Sequence, residues 1–183
     1  MNKKERFEVL IAGMGGQGIV LLGTVLGTAA VMYDGKFATQ APSYGTETRG
    51  SPAESQVVIS PKKIGFPEAE EVDVLVAMTQ AALNRHEKRL GKESKVIVDS
   101  DLVRLVSPTL EKVWKIPATK YSEQNLASRN YANMVMLGAM VKLTNMVSAD
   151  AARNAIRVTV PPNTVDKNLK AFELGTNAIQ GAA

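Results

Sequence analysis

The chain has 183 residues, a formal net charge of +4, 45% hydrophobic residues, no cysteine and one histidine, His86. That composition excludes a disordered chain, and the missing cysteines exclude disulfides, a cysteine nucleophile and cysteine-ligated iron–sulfur clusters within it. The basic excess is mild, dispersed and without aromatic interleaving, so it does not indicate nucleic acid, whereas an anionic cofactor or acidic partner surfaces would suit it.

The length suits a single domain, 1–183, with a sizeable core. No apolar run approaches the roughly 20 residues that a spanning helix needs. Residues 1–6 are charged, lack the apolar core of a signal peptide and run into a strand, so the expected compartment is the cytoplasm, away from any membrane. A zinc site or a serine–histidine pair would have to use His86. That residue sits in the charged run 83–89 and reads as part of a solvated helix face.

The first strand falls at about 6–12 and the first helix at about 17–33. Between them stands Gly13-Met14-Gly15-Gly16-Gln17-Gly18, which satisfies the spacing G-x-G-x-x-G. Glycines reach backbone angles closed to other residues, and their N–H groups can approach an anion at the positive end of a helix. The plainer reading is a turn needed only for close strand–helix packing. Gly23 and Gly27 stand four apart on one helix face and predict close approach of another backbone. Asp34-Gly35 ends the helix, with Gly35 as a left-handed cap.

Residues 36–40 read as a second strand. Nicotinamide-binding folds place an acidic residue about 20 positions after the glycines to hold the ribose. Asp34 comes too early, which weakens a dinucleotide reading. Residues 42–52 carry two prolines and two glycines and read as a loop. It holds Tyr44, Gly45, Glu47 and Arg49. Arg49 could clamp a carboxylate or phosphate and Glu47 could orient it; a surface contact between the two is the alternative.

Strands follow at 55–60 and, as a continuous apolar run, at 72–78. Thr79 caps a helix over 80–90, closed by Gly91. A buried strand at 95–100 ends in Asp99 and Asp101. These lie where ligands bind in open α/β sheets, but they read better as turn residues. An edge strand at 113–117 ends in proline. The remainder is helical: a short helix at 121–126, then 130–146 with an apolar stripe of Met134, Leu137, Met140, Val141 and Met146, one from Ser148 to the Pro161-Pro162 break, and a last one at 163–179. Methionines at that spacing serve as core or interface filler. Strand–helix alternation implies a three-layer α/β/α fold with a largely parallel, Rossmann-like sheet covered on both faces and a helical C-terminal third.

No nucleophile–base–orienter set and no metal-ligand spacing appears, so no catalytic and no metal-binding residue is expected. Two readings survive: a subunit that shapes a site whose reactive groups lie on other chains, and a self-contained NAD(P)-binding Rossmann-type dehydrogenase domain, against which the missing ribose acid and the absence of a second, substrate domain count; the plain alternative is a pure assembly module with glycines used for packing only.

The motif at 13–18 resembles the G-x-G-G-Q-G opening of gamma subunits of 2-oxoacid:ferredoxin oxidoreductases. Residues 43–50, Ser-Tyr-Gly-Thr-Glu-Thr-Arg-Gly, resemble that family's S-Y-G-x-E-x-R-G-G loop, with Ser51 in place of the second glycine, a change that stiffens the loop. The strands at 72–78 and 96–100 fit its central pair. Asn133 to Ala139 fits its N-x-x-x-L-G-A helix, and 168–175 its closing helix. The resemblance covers nearly the whole chain in order. It implies a subunit of an enzyme that oxidatively decarboxylates a 2-oxoacid, most like 2-oxoglutarate, joins the acyl group to coenzyme A and reduces ferredoxin. It also implies partner alpha and beta chains carrying thiamine diphosphate, iron–sulfur clusters on beta or on a ferredoxin-like delta chain, and no cofactor bound by this chain alone. The related beta subunit of indolepyruvate:ferredoxin oxidoreductase is the nearest alternative. The candidate cofactor-side residues are Gly13, Gly15, Gly16, Gln17, Gly18, Tyr44, Gly45, Glu47 and Arg49.

Overall fold

The computed structural model describes residues 6–45, 51–66 and 71–180. Six strands form one sheet: β1 (Phe7–Met14), β2 (Phe37–Tyr44), β3 (Pro52–Ser60), β4 (Val72–Ala77), β5 (Leu90–Asp99) and β6 (Val113–Ile116). Their spatial order is β2-β3-β1-β4-β5-β6. The pairs β1–β4, β4–β5 and β5–β6 are parallel. The β2–β3 hairpin adds two antiparallel pairs at one side.

Side-chain alternation along β1 divides the core. Val9 and Ile11 face the larger layer, built from α1 (Ile19–Thr28), α3 (Ala118–Leu126), α4 (Ala132–Thr144), α5 (Ala149–Thr159) and α6 (Val165–Gln180). Leu10 and Ala12 face α2 (Gln80–His86), where Leu83 and Val103 join the smaller cluster. The expected coverage of both faces is therefore present but uneven. Among the described residues no helix is long and apolar enough to cross a membrane.

Several expected boundaries need correction. Residues 42–44 and 52 are strand rather than loop. Pro42 pairs with Ser55 in β2, the edge strand, where a proline's missing donor need not interrupt the ladder. Gly91 does not close a helix. Instead α2 ends at His86, a 3₁₀ turn follows, and Gly91 lies in β5, its N–H donated to Ser94 Oγ at 2.9 Å. The first helix ends in a π-turn over Ala29–Tyr33, after which Gly35 takes the left-handed angle expected of it, φ +63°.

The glycine pair in α1 meets side chains rather than a backbone. A Cβ on Gly23 would lie 2.2 Å from Ser55 Oγ and 2.7 Å from Gln40 Nε2, whereas one on Gly27 would only touch Ala38 at 4.0 Å. Gln40 Nε2 donates to both Val20 O and Ser55 Oγ at 2.9 Å. A polar tie thus fastens the hairpin to α1.

Candidate functional site

The carboxyl ends of the parallel strands form a rim, and the glycine turn lies on it between β1 and α1. Gly16 (φ +92°) and Gly18 (φ +70°) both occupy the left-handed region, which a side chain would strain. Gly13 is required for space: a Cβ there would fall 2.5 Å from Gln17 Oε1 and 2.7 Å from the Ile19 side chain. Gln17 staples the turn to the sheet. Its Oε1 accepts Met14 N–H at 2.7 Å, and its Nε2 donates to Met78 O, at the end of β4, at 3.2 Å.

The hairpin joins the same rim. Gly15 N–H donates to Ser51 O and Gly45 N–H to Pro52 O, each at 2.9 Å. Gly13 pairs with Ala53 in the ladder, and Tyr44 pairs with that same residue from the other side. Gly15, Tyr44, Gly45 and Ser51 are therefore brought together, and Tyr44 is 64% exposed. Ser51, the departure from the family's glycine, supplies the carbonyl that holds Gly15. Glu47 and Arg49 lie outside the described residues.

Beside the turn is a cleft of about 430 Å³, lined by Gly15, Gly16, Gln17, Thr79, Thr119 and Arg129 among others. The first turn of α1 has no side-chain cap and no acidic residue. Its leading N–H groups lack intrahelical partners, so the helix end is suited to an anion. Arg129 stands at the cleft with Nη2 3.2 Å from Glu123 Oε1. The first turn of α3, in contrast, is already engaged. Thr119 N–H and Oγ1 both donate to Asp99 Oδ2, at 3.2 and 2.6 Å, and Lys120 N–H donates to Asp101 Oδ2 at 2.7 Å. Asp99 is fully buried, and burial raises its pKa against the opposing hydrogen bond from Thr119. The two aspartates serve the fold as helix caps.

His86 is not on a solvated face. It is 4% exposed, and its Nε2 lies 3.0 Å from Glu54 Oε1, which Arg85 Nη1 also approaches at 3.4 Å. Apolar neighbours in α2 and β3 hide it beside a cavity of about 240 Å³ on the smaller layer's side. Sequence reasoning gave no site role to Thr79, Thr119, Arg129 or Asn133, although it read Thr79 as a helix cap and Asn133 as the first residue of the N-x-x-x-L-G-A helix. Asn133 Nδ2 donates to Gly18 O at 3.2 Å.

What the rim defines is an α/β module with a glycine turn at the carboxyl ends of its parallel strands, and among the described residues no nucleophile–base pair stands beside that turn. The chain belongs to the family described as pyruvate ferredoxin/flavodoxin oxidoreductase, whose model matches residues 8–178. It is 43% identical to the 2-oxoglutarate synthase subunit KorC of Methanothermobacter thermautotrophicus over 95% of both chains. A solved keto/oxoacid ferredoxin oxidoreductase gamma subunit from Geobacter sulfurreducens superposes with a TM-score of 0.85 at 36% identity, covering 96% of this chain and 99% of that one. The 2-oxoglutarate:ferredoxin oxidoreductase of Magnetococcus marinus, solved with 2-oxoglutarate, coenzyme A and succinyl-CoA bound, shares the fold. Its TM-score is 0.86 at 22% identity, over 97% of this chain and 32% of that one. The resemblance read from the motifs to gamma subunits of 2-oxoacid:ferredoxin oxidoreductases is thus borne out, and none of these relatives is a stand-alone nicotinamide dehydrogenase.

Proposed function

We propose that this chain is the gamma subunit of a cytoplasmic, multi-subunit, coenzyme A-dependent 2-oxoglutarate:ferredoxin oxidoreductase and acts as one domain. The enzyme decarboxylates the 2-oxoacid, transfers the acyl group to coenzyme A and passes two electrons to ferredoxin. Alpha and beta chains, with a delta chain where one is present, supply thiamine diphosphate and the iron–sulfur clusters. This chain has no cysteine to ligate a cluster. Its part is to present the rim of Gly13, Gly15, Gly16, Gln17, Gly18, Tyr44, Gly45, Glu47 and Arg49 to the partner chains and help enclose coenzyme A or the thiamine site.

The observation that carries this reading is the glycine turn that leads into the uncapped α1: its Gly15, Gly16 and Gln17 line the cleft, beside the Gly15–Ser51 contact. Phosphate groups of coenzyme A match such a helix end in charge and geometry. Arg49→Ala in the reconstituted complex tests it, with assembly followed by size-exclusion chromatography. The expected result is an intact complex with a raised KM for coenzyme A or 2-oxoglutarate. Wild-type kinetics in an intact complex would overturn the reading.

A further inference from the structure

Asn133 opens α4 as a polar residue in a helix that is otherwise buried and apolar through Val141. It is itself 2% exposed. Both ends of its amide are used. Oδ1 accepts the N–H of Met134 at 2.9 Å, and Nδ2 donates to the carbonyl of Gly18 at 3.2 Å. The backbone donor at Met134 fixes which end is oxygen, so the end facing the Gly18 carbonyl is the N–H₂ group.

Gly18 is the residue on which the glycine turn becomes α1. Its φ of +70° aims the chain into the helix. A Cβ on it would lie 2.2 Å from Asn133 Nδ2, so the amide fills the volume that a side chain would have taken. The Gly18 carbonyl also accepts the first helical N–H bond, from Leu22 at 2.9 Å. One oxygen therefore receives both the start of α1 and the amide of α4. We propose that Asn133 is a positioning residue for the enzyme's rim: by clamping the Gly18 carbonyl it fixes the course of the glycine turn whose Gly15, Gly16 and Gln17 line the cleft. Its action is through the turn, without contact to substrate. The inference rests on the rim reading above.

The test is made on the reconstituted complex with Asn133→Asp, which keeps the side chain's shape and removes the donor. The new carboxylate would repel the Gly18 carbonyl and move the glycine turn away from an anion. KM for coenzyme A should rise at least fivefold at pH 8, with kcat within twofold of wild type. The ratio of mutant to wild-type KM should shrink as pH is lowered, because a protonated carboxyl donates again. An asparagine needed only for folding would instead lower the yield or stability of the complex and leave KM for coenzyme A unchanged. Asn133→Ser, neutral and smaller, should raise KM without the pH dependence, and it decides the matter if Asn133→Asp fails to assemble. Unchanged KM in these variants, or a loss confined to kcat, would overturn the proposal. Arg49→Ala run in parallel separates the two readings. If it raises KM while the Asn133 variants do not, only the role of Asn133 fails; if none of them raises KM, the rim reading fails as well.

Discussion

Gly138 of α4 and Gly175 of α6 each sit against the backbone of the other's helix where the two helices cross. A Cβ on Gly138 would lie 2.0 Å from Phe172 O, and one on Gly175 would lie 1.8 Å from Val135 O. Every residue of α4 from Ala132 to Val141 is buried, which fits a helix apolar on all sides and enclosed by its neighbours. This crossing holds α4, and α4 carries Asn133 to the glycine turn. The C-terminal third is thus the support on which the rim is set.

Gly138→Ala should therefore be among the most destabilising single changes. Backbone atoms cannot move aside as a side-chain tip can, so the helices must separate and open the core around Phe172. The expected loss is about 3 kcal/mol or more. Gly175→Ala should cost a similar amount, and the double variant less than the sum, because both force the same separation. Urea midpoints of the isolated chain measure this, and a wild-type midpoint for either single variant would contradict it.

The two glycines of α1 should respond in opposite directions. Alanine at Gly23 would push on Ser55 Oγ and Gln40 Nε2, breaking the tie between α1 and the hairpin. Overpacking and a lost buried hydrogen bond together predict a loss of roughly 2 kcal/mol. At Gly27 the nearest atom to an added Cβ is 4.0 Å away, so alanine meets ordinary contact and gains helix propensity. Gly27→Ala should stabilise by up to about 1 kcal/mol. A shared sign for the two variants in thermal unfolding would show that the space around α1 is misread.

Local signals explain which parts of this arrangement could be read in the sequence. The strand–glycine–helix opening, the apolar runs of β4 and β5 and the proline-ended β6 each satisfy their own neighbourhood, so pattern alone finds them. The methionines of α4 follow helical spacing and are buried as expected. The hairpin was hidden because Pro42 and Pro52 look like breakers; Pro42 is acceptable because β2 is the edge strand, and Pro52 because it is the first residue of β3. Gly23 misled because spacing shows that room is needed but not for what. Asn133 acts on a carbonyl 115 positions away, and His86 is covered by a strand distant in sequence. Neither long-range fact has a local signature.

His86 gives the pH dependence of stability a definite sign. Burial holds its pKa below the ordinary value of 6.5, assisted by Arg89 and Arg85 and opposed by Glu54. Its Nδ1 has no hydrogen-bond partner among the described residues, so a second ring proton would be buried without an acceptor. The folded chain therefore keeps the ring neutral where the unfolded chain begins to take up a proton. The unfolded state binds more protons below about pH 6.5, so stability contributed by His86 is full above that value and falls as the solution is acidified through it. One proton sets a ceiling of about 1.4 kcal/mol per pH unit on the slope. Asp99, with its raised pKa, acts in the opposite sense at more acid pH and partly masks the effect there. The measurement is thus a comparison: urea unfolding of wild type and His86→Gln between about pH 5.5 and 7.5. Glutamine can still donate an N–H to Glu54 but does not titrate, so the variant should show the flatter profile. Parallel profiles would mean that the imidazole is protonated in the fold as readily as in the unfolded chain.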